Sequence, residues 1–188
     1  MTKLSIEHGW LTPVRRRPSP NQDARPAGEI SLVVIHNISL PPGRFGGGHI
    51  DALFSNRLDP AADPYFAAIA DLKVSAHVLI DRAGEPTQYV PFHRRAWHAG
   101  RSCFRGRERC NDFSIGIELE GCDDIPYEEA QYRRLAEIVG LLLERYPGLT
   151  PERITGHSDI APGRKTDPGP AFDWARFHRC LERCRKLS

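Results

Sequence analysis

The sequence predicts a single domain of the α/β class. Its 188 residues are close to the usual size of one domain with one hydrophobic core. Short apolar or alternating segments are typical of β-strands, and two longer segments repeat apolar residues at the three- and four-residue steps of helices. With 40% hydrophobic and 27% charged residues, the composition is globular and excludes a disordered, collagen-like or coiled-coil chain.

Charge and hydropathy narrow the function classes further. The 26 basic and 24 acidic side chains give a net charge of +2, which provides no electrostatic case for binding nucleic acid or a membrane. No apolar run approaches the roughly 20 residues that cross a bilayer, and the first residues lack the apolar segment of a signal peptide. We therefore expect a cytoplasmic protein that binds neither nucleic acid nor a membrane.

The first elements follow from composition and apolar pattern. Residues 1–30 are polar and proline-rich and predict an irregular arm packed on a domain that spans residues 31–188. Residues 31–36 form a β-branched run typical of a strand buried on both faces, with His36 at its end. Short helices are predicted near residues 50–54 and over residues 65–72.

The middle of the chain combines strands with a basic segment. Residues 74–81 and 85–90 flank a turn and predict a hairpin, which places His77 in a strand. Residues 97–112 carry four arginines without helix or strand periodicity and predict a surface loop. Residues 114–120 alternate cleanly, so Gly116 and Glu118 share one face, and we expect the glycine to leave space over the carboxylate.

The last third of the chain predicts two helices around an edge strand. Residues 127–145 repeat apolar positions as an amphipathic helix does, and Pro147 and Gly148 end it. Residues 153–156 predict a short edge strand, and Trp174 begins the apolar face of a C-terminal helix. Between them, residues 156–170 (GHSDIAPGRKTDPGP) are typical of a functional loop about as much as of a plain connector.

Three residues in strand ends and loops are of the types that bind catalytic zinc. Such a site uses three His, Cys or carboxylate ligands and leaves a fourth position open for water. His36, His157 and Asp167 are candidates, but the chain has eight histidines, and His77 and His98 compete for the same role. The residue types alone do not choose among them.

Several stretches occur in an order that is characteristic of one enzyme family. They are VVIHN, PYFA, VSAHVLIDRAGEPTQYVPF, AWHAG, GRERCNDFSIGIELEG and ITGHSDIAPGRKTDPGPAFDW. In these stretches the chain resembles the AmpD-type N-acetylmuramoyl-L-alanine amidases, cytoplasmic zinc enzymes of cell-wall recycling, from about Trp10 to Trp174. The resemblance implies a mixed β-sheet flanked by helices, with zinc at one edge of the sheet. It selects His36, His157 and Asp167 as the zinc ligands.

The resemblance also implies catalytic roles for Glu118, Lys165 and Tyr65. Zinc would polarise the scissile carbonyl and activate water, and Glu118 would take the water's proton and pass it to the departing amine. Lys165 would stabilise the oxyanion, and Tyr65 would hydrogen-bond a ligand or intermediate. On the residues alone, Glu118 would be an edge-strand carboxylate paired with an arginine, Lys165 a solvated loop lysine and Tyr65 a packing residue.

By the same resemblance, the scissile amide joins the lactyl group of 1,6-anhydro-N-acetylmuramic acid to L-alanine of a stem peptide. Arg109 would bind a peptide carboxylate, Asn37 would hydrogen-bond the peptide and Trp97 would pack against the sugar. Lys73 stands where related enzymes often have arginine, so a contact there keeps its charge but loses the bidentate geometry. The expected enzyme is a monomer with a small-molecule substrate and Zn²⁺ as its cofactor.

Two other functions stay open at this point. One is an exported amidase that cuts intact peptidoglycan, against which the missing signal-peptide pattern argues. The other is a peptidoglycan-recognition module that binds without hydrolysis. Such modules commonly lack a complete ligand set, whereas this chain has all three predicted ligands together with Glu118 and Lys165.

Overall fold

The computed structural model describes residues 4–187, with the side chain of Leu187 excepted. Residues 1–3 of the predicted arm and Ser188 of the predicted domain lie outside the described residues. The strands are β1 (Ser5–Glu7), β2 (Trp10–Thr12), β3 (Arg15–Arg16), β4 (Gln22–Ala24), β5 (Leu32–Ile38), β6 (Val78–Ile80), β7 (Pro86–Gln88), β8 (Arg94–Ala96), β9 (Cys103–Phe104), β10 (Arg107–Glu108), β11 (Ser114–Glu120) and β12 (Ile154–Gly156). The α-helices are α1 (His49–Phe54), α2 (Pro64–Ala67), α3 (Glu129–Arg145), α4 (His157–Ile160) and α5 (Trp174–Leu187).

A mixed six-stranded sheet forms the centre of the molecule. Its strand order is β12-β5-β11-β6-β7-β3. The first four strands are parallel to one another, and β7 returns antiparallel to β6 through the predicted hairpin. This confirms the predicted α/β fold with a mixed sheet flanked by helices.

The two faces of the sheet have different roles. On β11, Ile115, Ile117 and Leu119 face the main core, where they pack with apolar side chains of the two long helices, α3 and α5. Because side chains alternate along a strand, Ser114 and Glu118 point to the opposite face. On that face, residues of β5 that precede His36 pack in a second apolar cluster, which includes Ala99, Phe113 and Ile160. The functional residues of β5 and β11 therefore lie on the face away from the long helices.

Several local predictions need correction. The basic segment at residues 97–112 contains the hairpin β9–β10 and a 3₁₀ turn at Cys110–Asp112. Strands of two residues are too short to produce a periodic signal. The helix predicted over residues 65–72 ends at Ala67, and His77 lies just before β6, not within a strand. The connector at residues 156–170 begins with the single helical turn α4.

The N-terminal segment is more regular than we predicted. Its described residues, 4–30, contain four short strands, and β3 joins the central sheet by pairing with β7. Leu4 and Leu11 are buried in the main core. The guanidinium of Arg25, also buried, donates hydrogen bonds to the carbonyl oxygens of Phe92 (3.2 Å) and Ser114 (2.7 Å). The segment thus shares the domain's core, and a boundary at residue 30 stays a prediction.

The helices also bear on membrane association. Within residues 4–187, none combines the length and the hydropathy required to span a bilayer.

Candidate metal centre and active site

The register of three parallel strands places predicted site residues side by side. His36 on β5 lies directly opposite Glu118 on β11. On the other side of β5, Gly156 of β12 is opposite Ile35, so the next residue, His157, begins α4 beside His36. Strand pairing alone therefore brings together side chains that are up to 121 positions apart in the chain.

Three atoms of the predicted ligands converge at this point. Nδ1 of His36 lies 3.0 Å from Nδ1 of His157 and 2.9 Å from Oδ2 of Asp167. Nδ1 of His157 lies 3.1 Å from the same Oδ2. Ligand atoms about 2.1 Å from a tetrahedral zinc ion are roughly 3.4 Å apart, so this triangle is slightly contracted but of the right size. Among the described residues, this group alone has the composition and spacing to hold a metal ion.

Electrostatics favour the protonation states that metal ligands need. Burial lowers the pKa of His36 to about 4, against the effect of neighbouring Asp167. Burial would raise the pKa of Asp167, but the close contacts of its Oδ2 with the rings of His157 and His36 outweigh burial and hold this pKa below its usual value. A neutral imidazole and an ionised carboxylate are both able to donate electron pairs to a cation. The three residues therefore fit a zinc ion by donor type, spacing and charge.

Glu118 is the buried acid next to this group. Its Oε2 atom is buried and has no hydrogen-bond partner within the described part of the chain. Burial raises the pKa of Glu118 well above its usual value, the charge of Asp167 adds to the effect, and Lys165 opposes it. From the residues alone we expected an arginine to pair with this carboxylate, and Oε2 has no such partner among the described residues. A carboxyl of raised pKa with a free oxygen is suited to accepting and returning a proton.

A cavity of about 450 Å³ opens onto these groups. Eight of the ten predicted site residues line it, namely His36, Asn37, Tyr65, Trp97, Glu118, His157, Lys165 and Asp167. The Asn37 side chain donates hydrogen bonds to Oδ1 of Asp123 (2.8 Å) and to the carbonyl oxygen of Pro168 (3.1 Å). Tyr65 is 42% exposed. Their roles remain predictions, but their shared position is that expected of one active site.

Two predicted substrate-binding residues do not line this cavity. Lys73 is exposed between two residues that do line it. The Arg109 side chain is 73% exposed and pairs through Nε with Asp112 at 3.2 Å. The backbone of Arg109 has a φ of 60°, in the left-handed region, and no sequence pattern indicated this conformation. Any contact of Lys73 or Arg109 with substrate would therefore involve a part of the ligand outside the cavity.

Sequence reasoning missed three cavity-lining residues and misread a fourth residue. Cys122, Asp123 and Asp124 line the cavity just beyond the end of β11. Their position after a predicted strand was the available signal, because the ends of parallel strands meet at one edge of a sheet. The prediction that Gly116 leaves space over Glu118 was wrong: the ring of His98 occupies that space, and a Cβ at Gly116 would lie 2.4 Å from its Cγ.

Comparisons with known proteins place the chain in a family. Residues 26–170 match the family model described as N-acetylmuramoyl-L-alanine amidase. The chain belongs to this amidase family. It is 62% identical over 179 residues to the 1,6-anhydro-N-acetylmuramyl-L-alanine amidase AmpD of Enterobacter cloacae, covering 95% of each chain. The predicted family and enzyme class are thereby confirmed.

Solved structures show the same fold in relatives of this family. A crystal structure of a selenomethionine AmpD derivative superposes with a TM-score of 0.91 at 60% identity, covering 94% of this chain and 98% of the other. The amidase AmiD of E. coli is more distant, with a TM-score of 0.59 and 30% identity over 94% of this chain and 65% of its own. That structure is a complex with the substrate anhydro-N-acetylmuramic acid-L-Ala-D-gamma-Glu-L-Lys.

A buried histidine outside the metal group leads to a prediction about stability and pH. Burial, followed by the charge of Arg25, holds the pKa of His77 well below 6.5. Below pH 6.5 the unfolded chain takes up a proton at His77 that the folded chain does not, so stability falls as pH falls. This histidine contributes at most about 1.4 kcal/mol per pH unit to that loss.

Urea unfolding of zinc-free protein at pH 7, 6 and 5 measures this effect. The variant His77→Gln should show a shallower decline of unfolding free energy than the wild type, because glutamine does not titrate. The exposed His93, replaced by Gln, is the matched control and should leave the decline unchanged. Equal slopes in His77→Gln and wild type would show that His77 titrates normally in the folded protein.

Proposed function

We propose that the chain is a zinc-dependent amidase that cuts the bond between 1,6-anhydro-N-acetylmuramic acid and L-alanine in soluble muropeptides, as a step of peptidoglycan recycling. One observation carries the proposal: Nδ1 of His36, Nδ1 of His157 and Oδ2 of Asp167 meet at 2.9–3.1 Å in a cavity that Glu118 also lines, with its Oε2 unpartnered among the described residues. The substrate follows from the similarity to AmpD and AmiD.

The metal site and the acid have separate functions in this proposal. His36, His157 and Asp167 would hold zinc, which when bound supplies Lewis acidity that polarises the carbonyl and makes water a stronger nucleophile near neutral pH. Glu118 accepts a proton from the attacking water and delivers it to the nitrogen of the departing L-alanine. Its raised pKa suits it to both transfers.

Charge that develops on the substrate needs a fixed partner. Lys165 lines the same cavity and lowers the pKa of nearby groups through its positive charge, as its effects on His36 and Glu118 indicate. In the tetrahedral intermediate, that charge stabilises the oxyanion. Tyr65 at the exposed part of the cavity wall supplies a further hydroxyl within the same site.

Substrate binding is divided between the cavity and its surroundings. A volume of about 450 Å³ suits a sugar with the first part of its peptide. Trp97 offers an apolar surface to the sugar. Asn37 offers its side-chain oxygen to a peptide N–H, since its amide nitrogen already donates to Asp123 and Pro168. Arg109 and Lys73 then meet the distal carboxylates of the stem peptide outside the cavity. We further propose that the protein acts in the cytoplasm as a monomer, without nucleic-acid or membrane partners.

The test offers the purified zinc-loaded protein two substrates side by side. Anhydromuramyl tripeptide and intact cell-wall sacculi are incubated at equal stem-peptide concentrations, and released peptide is measured by mass spectrometry. The proposal predicts release from the soluble compound and little or none from sacculi. Efficient cutting of sacculi would favour an amidase of intact peptidoglycan, and binding of the tripeptide without any release would favour a recognition module. A strong chelator should abolish the release, and added zinc should restore it.

A further inference from the structure

We infer that His98 is a positioning residue that fixes the tautomer of His36 and thereby keeps the metal-binding nitrogen of His36 free. The inference rests on the proposed zinc site and goes beyond it, because His98 has no place among the ligands or the catalytic groups. Three independent features of the structure support it: the hydrogen bonds of the two histidine ligands, the packing of the His98 ring and the hydrogen bonds that hold its backbone.

The position of the proton decides whether a histidine can bind zinc. A neutral imidazole has one N–H and one unprotonated nitrogen, and only the unprotonated nitrogen is a ligand. In His36 and His157 the converging atom is Nδ1, so each ring must carry its proton on Nε2. Each ring therefore needs a hydrogen-bond acceptor beside Nε2.

The acceptor for His157 is a backbone carbonyl. Nε2 of His157 lies 3.1 Å from the carbonyl oxygen of Ala99, an atom that only accepts hydrogen bonds. The same oxygen accepts a 2.7 Å hydrogen bond from Nη2 of Arg164. This arrangement holds the proton of His157 on Nε2, as the ligand role requires.

The acceptor for His36 is His98, the residue that precedes Ala99. Nε2 of His36 lies 2.9 Å from Nδ1 of His98, and Nε2 of His98 lies 3.1 Å from Oγ of Ser114. When His98 donates from Nε2 to the serine oxygen, its Nδ1 is free to accept from Nε2–H of His36. The directed series from His36 to His98 to Ser114 then leaves Nδ1 of His36 unprotonated. The opposite direction would place a proton on that ligand nitrogen.

The His98 ring packs against β11 at a position where the strand has no side chain. Ser114, Gly116 and Glu118 follow one another on one face of β11, and the ring lies over the glycine between the other two. A Cβ at Gly116 would lie 2.4 Å from Cγ and 2.6 Å from Nδ1 of His98, so the ring fits there because residue 116 has no side chain.

The backbone of the segment is held independently of the ring. Oδ1 of Asn111 accepts hydrogen bonds from the backbone N–H of His98 at 3.1 Å and of Ala99 at 2.8 Å. One asparagine therefore positions both the ring that faces His36 and the carbonyl that faces His157. Both acceptors are in place before any metal arrives, which lowers the cost of ordering the ligands.

A purely packing role for His98 makes a different prediction. If the ring only filled the space over Gly116, phenylalanine would serve as well, since it has a similar shape and no polar atoms. If the hydrogen bond matters, phenylalanine should weaken zinc binding, and asparagine, whose Oδ1 can occupy the place of Nδ1, should restore part of it. The two roles are thus separable by substitution.

The first experiment measures zinc affinity by competition with a chromophoric chelator. We expect His98→Phe to weaken the affinity about 10- to 100-fold, as loss of a hydrogen bond to a ligand histidine typically does. His98→Asn should lose less than His98→Phe, and Ser114→Ala should also weaken binding because the direction of the series is no longer set. His178→Phe, on α5, is the matched control and should bind as the wild type does. Affinity within twofold of wild type in folded His98→Phe would overturn the inference.

The second experiment reads the tautomer directly. In ¹⁵N-histidine NMR spectra recorded with and without zinc, His98 should carry its proton on Nε2 and leave Nδ1 unprotonated. A proton on Nδ1 of His98 would overturn the inference, because that nitrogen would then donate to His36. If His98→Phe does not fold, Ser114→Ala, which removes one oxygen, decides: unchanged affinity and an unchanged His98 tautomer contradict the series. A wild-type protein that binds no zinc would instead refute the proposed function.

Discussion

Replacing Glu118 with glutamine is expected to lower kcat by about 10²- to 10⁴-fold, the usual contribution of a general base, while leaving the zinc content of the protein unchanged. The amide keeps the size of the carboxylate but cannot accept a proton. Oε2 of Glu118 is buried and has no hydrogen-bond partner among residues 4–187, so the substitution breaks no hydrogen bond at that atom. Stability should therefore be largely preserved, because the amide fills the same volume as the carboxyl group.

The neighbouring acid provides a matched control for this substitution. Glu120 lies on the same face of β11 and is also buried, but its carboxylate accepts hydrogen bonds from the backbone N–H of Gly46 (2.5 Å) and Arg82 (3.3 Å). Glu120→Gln should therefore affect stability more than turnover. Steady-state release of peptide from anhydromuramyl tripeptide, with metal analysis of each variant, gives the comparison. Near-normal kcat in Glu118→Gln would reject Glu118 as the base.

Replacing His157 with alanine is expected to remove both zinc and activity. The ring is buried, and its Nδ1 atom is one corner of the ligand triangle, 3.0 Å from Nδ1 of His36 and 3.1 Å from Oδ2 of Asp167. Two remaining ligands do not make the three-ligand site that catalytic zinc requires. Because the metal contributes several kcal/mol to the transition state, and each 1.4 kcal/mol is about tenfold in rate, turnover should fall by more than about 10³-fold.

Metal analysis and circular dichroism distinguish this result from unfolding. The variant should retain the helical and strand signal of the wild type, because α3, α5 and the main core do not include the site. The exposed His93, replaced by alanine, controls for the loss of a histidine elsewhere and should retain zinc and turnover. Full zinc content in His157→Ala would show that the metal is held by other residues.

The elements that carry strong periodic patterns could be predicted from the sequence. The strand at Ser114–Glu120 has the predicted bounds, and the long helix starts within two residues of its predicted beginning. Each pattern reflects which side chains face the core, and that information is local. The two-residue strands at Cys103–Phe104 and Arg107–Glu108 contain too few residues to form such a pattern.

The site itself depends on relations that a single sequence does not contain. His36 and Glu118 are neighbours because of the register between two parallel strands, and register is set by packing across the whole sheet. Residue types alone left His77 and His98 as competitors for the metal, and only the family resemblance separated them from His36 and His157. The role of Gly116 was misread because the ring above it comes from a different segment. Arg109 does not line the cavity, and its backbone lies in the left-handed region, which residue type does not indicate.

One measurement tests the central claim most directly: titrating the zinc-free protein with zinc while following bound metal and peptide release from anhydromuramyl tripeptide in the same samples. The account predicts that activity rises in proportion to bound zinc, saturates at about one zinc per chain and is absent in His157→Ala at the same total zinc. Full activity in metal-free protein, or stoichiometric zinc without hydrolysis of this substrate, would contradict it.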